Sequence, residues 1–279
     1  MNRWLVLWLM VVSAECHSAA QWRQLDAENL VYLETDDGRV IIELNPVFAP
    51  KTSAQFQRLV REGFYNDEYF YRVIDGFVAQ GGDGSDLNRE LSQATLPAEF
   101  ERTYSENDSF ISVQTNDLFA PETGFVNGFA AARDPKTKKV WLTHCPGVVA
   151  MARDNDLNSG STDFYIVIGQ APRYLDRNLT IFGRVIVGMD TVQKIKRGPK
   201  DNNGVILETE KQTKINKIRM GTDVLKEERM AISVMNTNHD EFKALLDSRR
   251  NRSSAFFHYQ PPAVLDVCQV PLPTRLEEL

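Results

Sequence analysis

Alternating apolar runs joined by tight turns recur along this chain, and that repetition restricts it to a mainly β fold. FYRVIDGFVAQGGD, residues 70–83, is one such pair of strand fragments, turning at Asp75-Gly76, a tight-hairpin dipeptide. LVYLETDDGRVIIEL, residues 30–44, is another, turning on Asp36-Asp37-Gly38. Further strands are expected at GVVAMA (147–152), FYIVI (164–168), IFGRVIV (181–187) and TKINKIRM (213–220). Two helices interrupt them. The first starts at Pro50, carries Phe56, Leu59 and Val60 on one face and stops at Gly63. The second, within 188–198, turns Met189, Val192 and Ile195 inward. Seven or more short strands and two symmetrically placed helices predict a closed β-barrel with helices at its ends; a two-sheet sandwich is the competitor.

Arg72 stands out on the first hairpin, because an apolar residue would be easier to bury there. A two-residue turn at Asp75-Gly76 pairs Ile74 with Phe77 and Arg72 with Ala79, so that Arg72 and Phe77 share a face. Gln80 then points the other way unless a bulge intervenes at Gly81-Gly82. An Arg beside a Phe is half of a site for an apolar group with a hydrogen-bond acceptor. The alternative is an Arg whose stem lies over the barrel and whose head reaches water. These residues alone leave both readings open.

The rest of the chain bounds the chemistry. A net charge of -6 argues against a general phosphate-backbone binder, and the basic knot RRNR at 249–252 reads as a solvated helix end. No metal site is expected: His144, His239 and His258 are far apart, and neither H-E-x-x-H nor C-x-x-C occurs. No G-x-S-x-G elbow is present either. The first twenty residues have a cationic start, an apolar run over 4–12 and then small residues, the pattern of a cleaved secretory signal, with cleavage after Ala14 or, favoured by the small-x-small pair Ser18 and Ala20, after Ala20. The run is too short to cross a bilayer, which takes about 20 residues. Cys16 raises a lipoprotein alternative, against which Glu15 is a poor preceding residue. Export leaves Cys145 and Cys268 in an oxidising compartment, where a disulfide between them competes with two buried thiols. Residues 21–28 read as a polar lead-in and 84–146 as a long ordered excursion, with a hairpin tip at 134–141. Residues 223–279 read as a C-terminal extension, helix-like at first and Pro-rich at the end.

Taken together, F-x-R-V-I-x-G-F-x-x-Q-G-G-D at 70–83, G-x-x-A-M-A at 147–152, the S-x-x-F-Y-I run ending at Ile166 and Y-L-D…F-G-R-V…G-M-D at 174–190 resemble the cyclophilin-type peptidyl-prolyl isomerases, in the family's order and spacing. DGRVIIELNPVFAPKTSAQFQRLV resembles the family's opening hairpin and first helix. The resemblance covers about 29–220, interrupted by the 84–146 excursion, and M-A-R at 151–153 resembles the bacterial branch. It implies a mainly β fold, a closed eight-stranded antiparallel β-barrel capped by two α-helices. It implies isomerisation of Xaa-Pro bonds with no cofactor and no metal, Arg72 being catalytic. Phe77, Tyr165 and Leu175 fall on the family's proline pocket, and Gln80 on the residue that positions the arginine. Ala152 and Arg153 fall on the substrate-binding strand. Asp163, Tyr174 and Leu179 occupy further substrate-binding positions. Four residues depart from the better-known pattern: Tyr71 for His, Asp163 for Gln, Tyr174 for Trp, and Leu179 near a pocket His. The expected partners are proline-containing polypeptides, with no nucleic acid and no membrane span, met by a monomer in the periplasm. A non-catalytic proline-segment chaperone on the same fold stays open as the alternative.

Overall fold

The computed structural model describes residues 20–84, 94–105 and 108–278. The leader reading for residues 1–19, with Cys16, and the stretch 85–93 of the excursion lie outside them. In chain order the strands are β1 (Trp22–Gln24), β2 (Leu30–Thr35), β3 (Gly38–Leu44), β4 (Tyr69–Ile74), β5 (Val78–Gly82), β6 (Arg102–Thr103), β7 (Phe110–Thr115), β8 (Glu122–Val126), β9 (Phe129–Asp134), β10 (Lys139–Leu142), β11 (Val148–Met151), β12 (Phe164–Val167), β13 (Ile181–Val187), β14 (Thr213–Lys214), β15 (Lys217–Met220), β16 (Met230–Met235) and β17 (Thr274–Glu278). The helices are α1 (Pro50–Arg61), α2 (Met189–Lys194) and α3 (Asp240–Asn251).

A curled nine-stranded sheet, ordered β14-β4-β5-β12-β11-β13-β3-β2-β15, forms the centre. The stretch 213–220 is two strands and not the single one expected. Ile215 is wholly buried and uses both of its backbone groups on the segment just before β4: its N–H donates to the Glu68 carbonyl, and its carbonyl accepts from the Asp67 N–H. Asn216 then donates to the Glu34 carbonyl at the opposite edge. One continuous segment thus supplies both end strands of the sheet.

The central strands are apolar on both faces, which explains their unbroken apolar runs. Val149 and Met151 of β11, with Phe164 and Ile166 of β12, face a core that also takes Phe56 and Leu59 of α1 and Val192 of α2. Val148, Ala150, Tyr165 and Val167 face the other way, into a second core. The excursion covers that face. It is a five-stranded sheet, β6-β10-β9-β8-β7, whose Phe125, Ala131 and Val140 enter the second core. Its expected hairpin tip is the β9–β10 turn, with Lys138 left-handed at φ 54°. The tail adds Phe242 and Leu246 of α3, Val267 and Val270.

The lead-in at 21–28 is not merely polar coil: β1 pairs with β16, and β16 with β17, as a three-stranded sheet. Ile232 and Val234 of β16 pack on Tyr32 and Ile41, which is why so short a segment orders. Glu43 joins all three sheets. It is buried and accepts from Arg23 of β1 at 2.8 Å and from Arg184 of β13 at 2.6 Å. The same two guanidiniums donate to the Asn127 and Gly128 carbonyls in the β8–β9 turn.

Cys145 and Cys268 form a disulfide across 123 residues, tying the tail to the start of β11. A cross-link closing so long a loop restricts the unfolded chain strongly. Cys268→Ser is expected to lower the unfolding free energy by about 2–5 kcal/mol in urea titrations. Denatured, unreduced protein should show no free thiol at either position, and two titratable thiols there would refute the link.

Candidate active site

Arg72, Gln80 and Tyr165 lie on adjacent strands of the curled sheet, Arg72 opposite Gln80 and Gln80 opposite Tyr165. This register corrects the one expected from a two-residue turn. The Phe77 N–H does donate to the Ile74 carbonyl, with Gly76 left-handed at φ 70°. Pairing, however, begins only at Ile74–Val78, leaving Phe77 as an extra residue at the turn. Gln80 therefore shares a face with Arg72. A bulge does form beside Gly81, but its extra residue is on β4, where 70 and 71 oppose Gly81 alone. An added Cβ at Gly81 would stand 3.0 Å from the Phe70 ring, so the close approach needs glycine.

The bulge sets up a directional relay. Arg72 Nη1 donates to Gln80 Oε1 at 2.9 Å, Gln80 Nε2 donates to the Tyr71 hydroxyl at 2.5 Å, and that hydroxyl donates to Asp163 Oδ2 at 2.8 Å. Asp163 Oδ1 also accepts from the Gly84 N–H. Burial pushes the Tyr71 phenol above its ordinary value, reinforced by the Asp163 charge, so it remains a donor. Burial also raises the Asp163 carboxyl. The far edge of β4 is held by 198–206: Val73 exchanges bonds with Gly204 and Gly198, and Arg72 Nε donates to the Asn203 carbonyl at 3.3 Å. Arg72 Nη2 has no hydrogen-bond partner among the described residues, and Arg72 as a whole is part-buried.

The apolar half lies on the same outer face. Phe77, Ala152 and Leu179 pack against the second core, which contains Val78 and Tyr165. Leu175 is half-buried in the 173–175 turn, and its neighbour Tyr174 is 65% exposed at the rim. Arg153 lies just beyond β11, but its donors go to the carbonyls of Asn178 and Asp154. Asp163 is turned toward Tyr71 and not toward the apolar cluster. The sequence reading noted Tyr71 only as a departure; its place in the relay depends on a partner 92 residues away.

Comparisons with known proteins place the chain in a family. Residues 30–220 match the family model described as cyclophilin type peptidyl-prolyl cis-trans isomerase/CLD. The chain belongs to that family. A probable peptidyl-prolyl cis-trans isomerase of Brucella suis is 34% identical over 198 residues, covering 67% of this chain and 81% of the relative. A peptidyl-prolyl cis-trans isomerase-like 1 of Gibberella zeae is 30% identical over 174 residues, 61% of this chain and 85% of the relative. Among solved structures, cyclophilin AquaCyp293 from Hirschia baltica superposes with a TM-score of 0.74 at 31% identity, covering 92% of this chain and 94% of its own. That match reaches well beyond 30–220, so the likeness takes in more than the family region.

Tyr71→Phe removes the middle of the relay without changing the ring. It is expected to slow prolyl exchange about three- to ten-fold, the worth of one hydrogen bond, with peptide affinity within about two-fold; exchange spectroscopy and a titration measure the two. A second prediction concerns pH. Because Asp163 is raised in the folded state, its stabilising contribution is full below the ordinary value of 3.8 and lost as pH rises through the folded value. The stability of wild type relative to Asp163→Asn should therefore fall as pH rises from the ordinary value of 3.8 through the raised folded value. A difference that grows over that range in urea titrations would contradict it.

Proposed function

We propose that this protein interconverts cis and trans Xaa-Pro bonds in exported polypeptides, with Arg72 stabilising the twisted amide. The observation that carries the reading is the state of Arg72: its guanidinium is braced on Gln80 and Asn203, its Nη2 is uncommitted among the described residues, and the Phe77–Tyr165 cluster shares its face.

Rotation about the amide faces a barrier of about 18–20 kcal/mol, and no bond is made or broken. In the planar ground state the proline nitrogen lone pair is delocalised and accepts poorly. In the twisted state it accepts a hydrogen bond. A braced guanidinium beside it binds the twisted state better than the planar one, which is the requirement for catalysis. Arginine suits the task because it stays charged and offers several fixed donors. Phe77, Tyr165, Leu175 and Leu179 would hold the pyrrolidine ring while the preceding carbonyl turns, with Ala152 and Arg153 along the substrate backbone. The tightly oriented relay through Tyr71 and Asp163 keeps the Gln80 oxygen facing Arg72.

The same reading treats the curled sheet as a barrel closed through 213–220, with residues 29–222 as the catalytic unit, 84–146 as its insertion and 223–279 as its extension. Export is part of it: the Cys145–Cys268 disulfide suits an oxidising compartment such as the periplasm, as does the leader pattern. Among the described residues no helix is long and apolar enough to cross a membrane.

The test is cis/trans exchange of an Ala-Pro-Phe peptide followed by NMR, with the disulfide-bonded protein and with Arg72→Ala. A charge-assisted hydrogen bond of about 1.5–3 kcal/mol predicts a loss of roughly 10- to 150-fold in the variant. Peptide resonances that shift without faster exchange in either protein would leave a proline-binding chaperone as the reading.

A further inference from the structure

Behind the apolar wall lies a buried polar chain that the proposed reaction does not use. The Tyr165 hydroxyl meets His144 Nε2 at 2.9 Å, and the two rings are stacked at an interplanar angle of 12°. His144 is fully buried. Its Nδ1 lies 3.1 Å from Asp176 Oδ1, and its main-chain N–H donates to the same oxygen at 2.8 Å. Asp176 Oδ2 accepts from Arg173 Nε at 2.5 Å, and Arg173 Nη2 donates to Asp117 at 3.2 Å. Arg173 is itself only 4% exposed. Asp117 belongs to the β7–β8 connection of the inserted sheet.

The proton positions follow from the partners. A carboxylate only accepts, so Nδ1–H points to Asp176, and in the neutral ring Nε2 is the acceptor. The Tyr165 phenol, held in its protonated form by burial, is the donor that fills it. A ring with a fixed hydroxyl cannot swing or tilt freely. Next to His144, Cys145 is locked to Cys268, so the imidazole hangs from a backbone that is itself tethered.

We propose that His144 is a positioning residue for the proline pocket: it fixes the Tyr165 ring through its hydroxyl and, through Asp176, Arg173 and Asp117, ties that wall to the inserted sheet. This rests on the isomerase reading, in which Tyr165 is a wall of the pocket. A buried histidine serving only to fill the core would predict lost stability and an unchanged pocket. A positioning role predicts weaker peptide binding, because the wall is no longer preset, with little change in exchange rate once the peptide is bound.

The experiment is NMR titration and exchange of the Ala-Pro-Phe peptide with wild type, Tyr165→Phe, His144→Ala and the double variant. Tyr165→Phe keeps the ring and removes only the anchor, so it carries the test even if His144→Ala fails to fold. The expected result is a peptide Kd about three- to ten-fold weaker in each single variant, no further loss in the double variant, and, in His144→Ala, saturated exchange within about two-fold of wild type. Unchanged affinity in Tyr165→Phe would overturn the inference while the isomerase reading stood. So would a loss in Tyr165→Phe that a folded His144→Ala does not share, since the hydroxyl would then act on the peptide directly. Absence of binding and turnover in wild type would overturn the isomerase reading, and this inference with it.

Discussion

The strands at the centre of this protein are apolar on both faces, and such a sheet requires cover on both sides. α1 and α2 help fill the concave side, where Phe56 touches Tyr65, Phe164 and Phe182. The convex side presents Val148, Ala150, Tyr165 and Val167. The inserted five-stranded sheet and the C-terminal tail supply that cover. Glu43 and the Cys145–Cys268 bond then fix the layers together, one by electrostatics and one covalently. A buried carboxylate with two guanidiniums is costly to desolvate, and removing one partner leaves a buried charge uncompensated. Its contribution is therefore to which layers dock where, as much as to net stability.

The candidate site occupies the part of the convex face at the β4–β5 hairpin. Arg72 and Gln80 interrupt the apolar surface there, and each side of the hairpin does a separate job. Toward Asp163 the chain of donors runs in one sense, from guanidinium to amide to phenol to carboxylate, so each dipole reinforces the next. Toward Tyr165 the surface is apolar and backed by the imidazole of His144. Arg72 stands where a polarised network meets a nearly dry wall, and a charge there acts with less screening than in bulk water.

Much of this was legible in the sequence, and the failures have definite causes. The hairpin at 30–44, both helices and the strands that carry Arg72, Gln80 and Tyr165 could be read because local pattern or contiguous motif carries them. The register of the β4–β5 hairpin was read one residue short, since Asp75-Gly76 announces a turn but not the extra Phe77 that follows it. The inserted sheet was hidden because β8 buries all five of its residues, among them Glu122, whose carboxylate takes a 2.6 Å bond from Arg133. A strand with buried charge shows no alternation. Tyr71 with Asp163, and His144 with Asp176, are partners 92 and 32 residues apart, and no spacing rule joins them before the chain has folded.

The split strand at 213–220 bears on the order in which the protein can be assembled. β2 and β4 are formed early in the chain, yet each waits for a partner that lies beyond residue 212. During synthesis, two sheet margins with open backbone donors and acceptors persist until almost the whole family region has emerged. Such margins invite pairing with other chains, and contacts so distant in sequence form slowly. A protein proposed to turn Xaa-Pro bonds in other chains thus completes its own central sheet only once residues 213–220 are available.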